Sequence, residues 1–353
     1  MQLTYRAFAL RLAHRWTIAS TVGPGGGGGT DTYKVVFVEL TSADGLAGIG
    51  EAAPSSRYKE NADSVLAFLQ RVDAARLSFD DIPGSMRYLD TLSAGDFAPK
   101  CALNIALLDG AARKAGQPIY DLLGLGFREG AHSTSFSIGI DKPEIIRQKV
   151  AEAERYPILK LKVGSPDDQA NIAALRAAAP TKTVRVDANE AWKSKEEALG
   201  QIEILSKDPH IEFIEQPMPA AMPIEDFAWL KARSPLPIMA DESFRSERDA
   251  EKCAEGFHFV NVKLVKMGGI SAAYTALQAA RKLGLKTMIG CMIESSVLIS
   301  AAAHLAELTN FLDIDGNILI TNDPYEGPTS VNGVISFARA PQKAGLRVRP
   351  RQQ

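Results

Sequence analysis

Short apolar runs recur from about residue 135 of this 353-residue chain, and most close on a charged side chain. Ser135–Ile140 opens the series. Leu159-Lys160-Leu161-Lys162-Val163, Val184-Arg185-Val186-Asp187, Phe213-Ile214-Glu215, Ile238-Met239-Ala240-Asp241, Phe259-Val260-Asn261-Val262-Lys263, Met288-Ile289-Gly290-Cys291 and Phe311-Leu312-Asp313-Ile314-Asp315 follow. Each reads as a buried strand, and the polar helical stretches between them complete the βα repeat of a parallel sheet. When such a sheet closes into a barrel, all strand C-termini gather at one face, where residues distant in sequence meet. The first part of the chain is patterned differently. Leu3–Leu12 alternates like a strand, Val35–Leu40 is a clearer one, and helical stretches run from Asn61 onward. The pattern predicts an α+β cap over residues 1–125, a barrel over 126–320 and a C-terminal segment over 321–353.

The charged strand ends carry the chemistry. Lys160 and Lys162 stand at i and i+2 on one strand and therefore project from the same face. Burying two ammonium groups together is costly, and the expected result is a lysine pKa driven down, which makes an amine usable as a general base. Asp187, Glu215 and Asp241 close successive strands, and three carboxylates without histidine or cysteine suit Mg²⁺ better than zinc. Lys263 ends a strand that lies roughly across the ring from Lys162, so the two lysines flank whatever the metal holds. Lys266, three residues on, falls on the other face by alternation and reads as structural. Asp313 and Asp315 share one face at the last strand and are free to hold a cationic group of a substrate. As alternatives, an Asp-x-Asp-Gly sequence also suits a turn, Cys291 also suits a small buried packing position, and Glu294 also suits a helix cap. Asn189 is placed to orient Asp187.

Composition changes the picture little. A net charge of −2 offers no broad basic surface for nucleic acid or anionic membrane. The apolar runs are too short to span a bilayer, and the amino terminus reads as a strand rather than a signal peptide. Cys101, Cys253 and Cys291 are scattered and odd in number, which fits a reducing cytoplasm. A homo-oligomer is left open. Gly25–Gly29 is a run of consecutive glycines with no Gly-Lys-Ser/Thr after it, so it is not a phosphate loop.

Taken in order, these motifs resemble the enolase superfamily, within it the muconate-lactonizing-enzyme subgroup, and most closely its dipeptide epimerases. The resemblance spans nearly the whole chain and includes Gly50-Glu51-Ala52-Ala53-Pro54, the helix Ala102–Asp109 and Gly116-Gln117-Pro118-Ile119-Tyr120. It implies a modified (β/α)8 TIM-like barrel of the (β/α)7β form, with the C-terminal segment returning to the cap. It also implies Mg²⁺ on Asp187, Glu215 and Asp241, Lys162 as base on one face of the α-carbon with Lys160 lowering its pKa, and Lys263 as acid or base on the other. Asp313 and Asp315 match the pair that holds the substrate α-ammonium in dipeptide epimerases. Lys160, together with Cys291 and Glu294 by their places at and after the seventh strand, completes the candidate substrate-facing set. The histidine base of mandelate-racemase-like relatives is absent at the seventh strand. By resemblance the glycine run is a lid over the barrel mouth; it lacks the cation that Ala-Glu enzymes carry there, so a small or apolar second residue is as well accommodated as glutamate. Two-base epimerisation through an enediolate is the implied reaction. o-Succinylbenzoate synthase, N-acylamino-acid racemase and muconate cycloisomerase share both lysines and remain alternatives, as does a non-catalytic binding protein on the same fold.

Overall fold

The computed structural model describes residues 1–22 and 28–352. Of the glycine run, Gly25, Gly26 and Gly27 lie outside the described residues, so the expected lid is not located. The cap begins with an antiparallel sheet of β1 (Gln2–Trp16), β2 (Thr30–Thr41) and β3 (Ala47–Ala52), in that spatial order. Helices α1 (Ala62–Leu69), α2 (Ile82–Leu92) and α3 (Phe97–Lys114) follow. α3 is apolar on nearly all sides and lies directly on β3. Glycine permits that approach: a Cβ on Gly48 or Gly50 would fall 2.1 Å from the Ala106 carbonyl oxygen or 1.9 Å from that of Ala102.

After the short α4 (Ile119–Leu122), eight parallel strands alternate with helices: β4 (Phe136–Ile138), α5 (Pro143–Glu152), β5 (Ile158–Lys162), α6 (Asp168–Ala178), β6 (Thr183–Asp187), α7 (Lys195–Leu205), β7 (Ile211–Glu215), α8 (Ile224–Lys231), β8 (Ile238–Ala240), α9 (Ala250–Gly256), β9 (Phe259–Lys263), α10 (Leu264–Met267), α11 (Ile270–Lys282), β10 (Lys286–Gly290), α12 (Ser296–Ala303) and β11 (Phe311–Asp313). Their spatial order follows the sequence from β4 to β11. The ring closes through Thr134 beside Leu312 and a Ser135 N–H donated to the Leu312 carbonyl at 3.3 Å. Seven crossovers join eight strands, the (β/α)7β form. Inside the ring, Phe213, Met239, Phe259 and Met288 form an apolar plug, with Phe311 against it. The Arg185 guanidinium spans the rings of Phe213 and Phe311 and donates to the Leu312 carbonyl at 2.7 Å. The charged layer lies above this plug.

The C-terminal segment turns back to the cap. Asn322 accepts from the Arg11 N–H and donates to the Ala9 carbonyl, and the Tyr325 ring packs 4.9 Å from that of Phe37. One continuous apolar core runs through cap and barrel. Among the described residues, no helix is long and apolar enough to cross a membrane.

Candidate active site

Strand register sets the charged layer at one height. Lys162 pairs with Asp187, Asp187 with Glu215, and Gly290 with both Lys263 and Asp313. β5 and β9 are separated by three strands in either direction round the ring, so Lys162 and Lys263 face each other across the mouth. Gly290 keeps the gap open, since a Cβ there would meet the Asn261 amide at 2.7 Å. A cavity of about 780 Å³ lies between mouth and cap. Lys160, Lys162, Lys263, Asp313, Asp315 and Cys291 all line it. The Lys162 ammonium also sits 5.9 Å from the ring centroid of Trp16, which reaches down from the cap.

Asp187, Glu215 and Asp241 are wholly buried beneath these lysines. Asp187 Oδ2 lies 2.6 Å from Lys162 Nζ and 3.1 Å from Lys160 Nζ; Glu215 Oε2 is 2.8 Å from Lys160 Nζ; Asp241 Oδ2 is 2.7 Å from Lys263 Nζ. Among the described residues no three acidic, histidine or cysteine side chains converge as a ready metal cage, because the oxygens turn toward ammonium groups instead. The residues nonetheless fit a hard cation. Glu215 Oε2 and Asp241 Oδ2 are buried and make only charge contacts, without hydrogen-bond geometry, and Glu242 Oε2 and Asn189 Oδ1 beside them have no partner. Charge agrees. The ion pairs of Lys160, Lys162, Lys263 and Lys266 with Asp187, Glu215, Asp241 and Asp313 balance, whereas Glu242 and Asp315 are buried with no ammonium in ion-pair contact. Buried carboxylates therefore outnumber the ammonium groups here, an excess that a bound cation would offset. The excess is visible in the acidities. Burial and then the Asp241 and Asp187 charges push Glu242 up to about 8, and burial with Asp313 pushes Asp315 up to about 6. Burial and Asp187 raise Glu215 to about 7. Burial would raise Asp241 too, but Lys263 and Lys266 outweigh it and hold it far below the carboxylate range.

Several expectations need correction. Lys160 is not a depressed lysine: burial acts to lower its pKa, but Asp313, Glu215 and Asp187 around it raise it well above the ordinary value. Lys263 is raised likewise, Asp241 overcoming burial. Asp313 is not free. Its Oδ2 accepts from Lys160 at 2.6 Å and its Oδ1 from the Ser135 hydroxyl at 2.5 Å. Asp315 is the more available of the two, accepting from the Ser137 N–H at 2.6 Å with the Cys291 thiol 3.7 Å from its other oxygen. Glu294 is buried behind the cavity rather than lining it. It accepts from the Met292 N–H at 2.9 Å, while Ser295 caps α12, so Glu294 neither lines the cavity nor caps the helix. Lys266 is not on an outer strand face. It lies in α10, with its ammonium 2.6 Å from Asp241 Oδ1 and 2.8 Å from the Asn261 carbonyl. Asn189 does brace Asp187, its N–H donating to Oδ1 at 3.0 Å.

Among the lining residues that escaped the sequence reading are Glu242, Glu190 and Tyr58, while Arg57 was legible only as a cation somewhere in the cap. Glu242 stands next to Asp241 and was visible as a second carboxylate at a strand end. Asn189 and Glu190 are consecutive left-handed residues (φ 43° and 67°), a turn that non-glycine residues seldom adopt and that nothing in the local sequence signals. Arg57 and Tyr58 come from a cap turn whose position over the barrel only the assembled fold reveals.

A closed (β/α)7β barrel with opposed lysines over strand-end carboxylates, roofed by an α+β cap, defines a class. Residues 145–353 match the family described as Enolase C-terminal domain-like, and residues 26–124 match the Mandelate racemase / muconate lactonizing enzyme, N-terminal domain. The chain belongs to the enolase superfamily. Among its relatives, an L-Ala-D/L-amino acid epimerase of Pedosphaera parvula (strain Ellin514) is 62% identical over 349 residues, covering 99% of each chain. A dipeptide epimerase from Enterococcus faecalis V583, solved with Mg and the dipeptide L-Leu-L-Tyr, superposes with a TM-score of 0.88 at 30% identity over 98% of each chain. One from Cytophaga hutchinsonii, solved with Mg and D-Ala-L-Val, gives 0.90 at 28% identity, over 99% of this chain and 96% of that one.

Proposed function

We propose that this chain is a Mg²⁺-dependent dipeptide epimerase that inverts the α-carbon of the second residue of L-Ala-L-Xaa dipeptides. The observation that carries this is the opposed pair Lys162 and Lys263, reaching one cavity from strands across the ring. Inversion at carbon requires proton removal on one face and delivery on the other, and two amines so placed supply both. Epimerases among the relatives, including ones solved with Mg and dipeptides, support the same reaction.

Asp187, Glu215 and Asp241 are the residues that would hold the cation, which when bound takes the substrate carboxylate and stabilises the charge that develops as the α-proton leaves. Lys162 removes or returns the proton on its side, with the Trp16 ring excluding water above it. Lys263 does so on the other. Lys160, buried among Asp187, Glu215 and Asp313, supplies a positive charge beside Lys162. Asp315, with Asp313 beside it, receives the dipeptide α-ammonium. That pair favours a free dipeptide over N-acylated or cyclohexadienyl substrates, which offer no cation to two buried carboxylates. The cap of residues 1–125 and the segment 321–353 roof the barrel of 126–320 and enclose the second side chain.

The test is incubation of pooled L-Ala-L-Xaa dipeptides with the Mg²⁺-loaded protein in D₂O, read by mass and by chiral separation. Deuterium at the second α-carbon together with both epimers is the expected result. No exchange in any dipeptide, with exchange in an N-acyl amino acid, would assign the alternative activity.

A further inference from the structure

The cap contributes two cations to the cavity lining, Lys34 and Arg57. Lys34 is exposed on the rim, where solvent screens it. Arg57 is also exposed, but unlike Lys34 its charge is already engaged in an ion pair. Glu190 Oε2 accepts from Arg57 Nε and Glu190 Oε1 from Arg57 Nη2, both at 2.7 Å, the bidentate geometry that makes such pairs strong. Glu190 is itself fixed. Its left-handed backbone (φ 67°) donates an N–H to the Gln216 carbonyl at 2.9 Å, and Oε1 also accepts from the Ala220 N–H at 2.7 Å. The Arg57 side chain is 45% exposed and that of Glu190 16%, so the carboxylate is the less exposed, more firmly held partner and the guanidinium the one that it captures.

This capture bears on charge accounting. A divalent cation would offset the buried carboxylate excess, and a dipeptide zwitterion with a neutral side chain adds no net charge. An acidic side chain adds one negative charge to a cavity where the Arg57 guanidinium of the cap is already paired with Glu190.

We propose that Glu190 is a specificity-determining residue. By holding Arg57 in a closed ion pair it makes dipeptides with a neutral second side chain the preferred substrates and withholds the counter-charge that an acidic one needs. This rests on the dipeptide-epimerase reading and deepens it.

The discriminating substrates are L-Ala-L-Gln and L-Ala-L-Glu, alike in shape and different in charge. The quantity to measure is the ratio of their kcat/KM values, by α-deuterium exchange with Mg²⁺ present. Wild type is expected to favour L-Ala-L-Gln. Glu190→Gln keeps an oxygen for the Ala220 N–H, frees the Arg57 charge, and should raise the Glu/Gln ratio about tenfold, the scale of one partly exposed charge contact. Arg57→Gln leaves Glu190 uncompensated and should lower the ratio, and the double variant should return it toward wild type. The single Arg57→Gln variant decides the matter should Glu190→Gln not fold. A wild-type preference for L-Ala-L-Glu, or a ratio unmoved by either substitution, overturns the proposal. Wild-type inactivity on every dipeptide instead overturns the epimerase reading on which it stands.

Discussion

Replacing Lys160 with methionine isolates the charge that organises the site. The Lys160 ammonium is buried within 2.6 Å of Asp313, 2.8 Å of Glu215 and 3.1 Å of Asp187. Methionine has nearly the same length, so packing is retained while three buried carboxylates lose a shared partner. Removing one member of a buried ion pair costs about 3–5 kcal/mol, because the remaining charge is left uncompensated. The folded-state pKa of Lys160 is raised, so its contribution is fully present below the ordinary lysine pKa and lost only as pH rises through the higher folded value; at pH 7 the full effect is exposed. Spread over the unfolding entropy of a chain this size, the loss lowers Tm by roughly 4–7 °C. The assay is urea unfolding of wild type and Lys160→Met at pH 7 with EDTA, repeated with excess Mg²⁺. Destabilisation is expected in EDTA and should shrink with Mg²⁺, whose charge partly replaces the lysine's. A loss under about 1 kcal/mol in EDTA would refute the claim that Lys160 holds these carboxylates together.

Three further outcomes follow from the structure. Mg²⁺ should raise Tm in proportion to the logarithm of its concentration above Kd, and Asp241→Asn should abolish most of that shift in calorimetry. His304 is buried against Tyr120 and Phe337, accepts from the Tyr120 N–H at 3.2 Å, and has its pKa driven down to about 3 by burial, helped by Arg347. Because its folded pKa lies below the unfolded one, protonation favours the unfolded chain, and stability falls as pH drops below about 6.5. The stability difference between wild type and His304→Phe, measured in urea, should shift against wild type by about 2 kcal/mol between pH 7 and pH 5. Gly50→Ala forces a Cβ into the Ala102 carbonyl of α3 and should cost about 3 kcal/mol by the same measurement, whereas Gly200→Ala, with open space around it, should cost nothing of this kind.

The barrel and its chemical layer were legible because most strands are apolar runs that end in charged residues. Period-two alternation on Leu159–Val163 alone puts Lys160 and Lys162 on one face, and strand order alone puts Lys263 across the ring. What alternation could not supply was which charges meet once the ring closes. Lys160 and Asp313 are 153 residues apart and become neighbours only when the ring closes at β4, where Ser135 just before the strand bonds Asp313 and Ser137 within it bonds Asp315. Lys266 was misplaced because the chain leaves β9 directly into α10, where side chains follow a period of 3.6 rather than 2. Glu294 was misplaced because its side chain folds back on its own loop at Met292. The Arg57–Glu190 pair depends on a left-handed turn built without glycine, which leaves no mark in the sequence.

The central claim is that Lys162 and Lys263 serve opposite faces of one α-carbon. Its most direct test is α-proton exchange in D₂O by Lys162→Ala and Lys263→Ala, each given the L-Ala-L-Xaa and L-Ala-D-Xaa epimers separately. The account predicts that neither variant epimerises, and that each exchanges deuterium into one epimer only, with the two variants choosing opposite epimers. Epimerisation by either variant, or exchange confined to the same epimer in both, would contradict it.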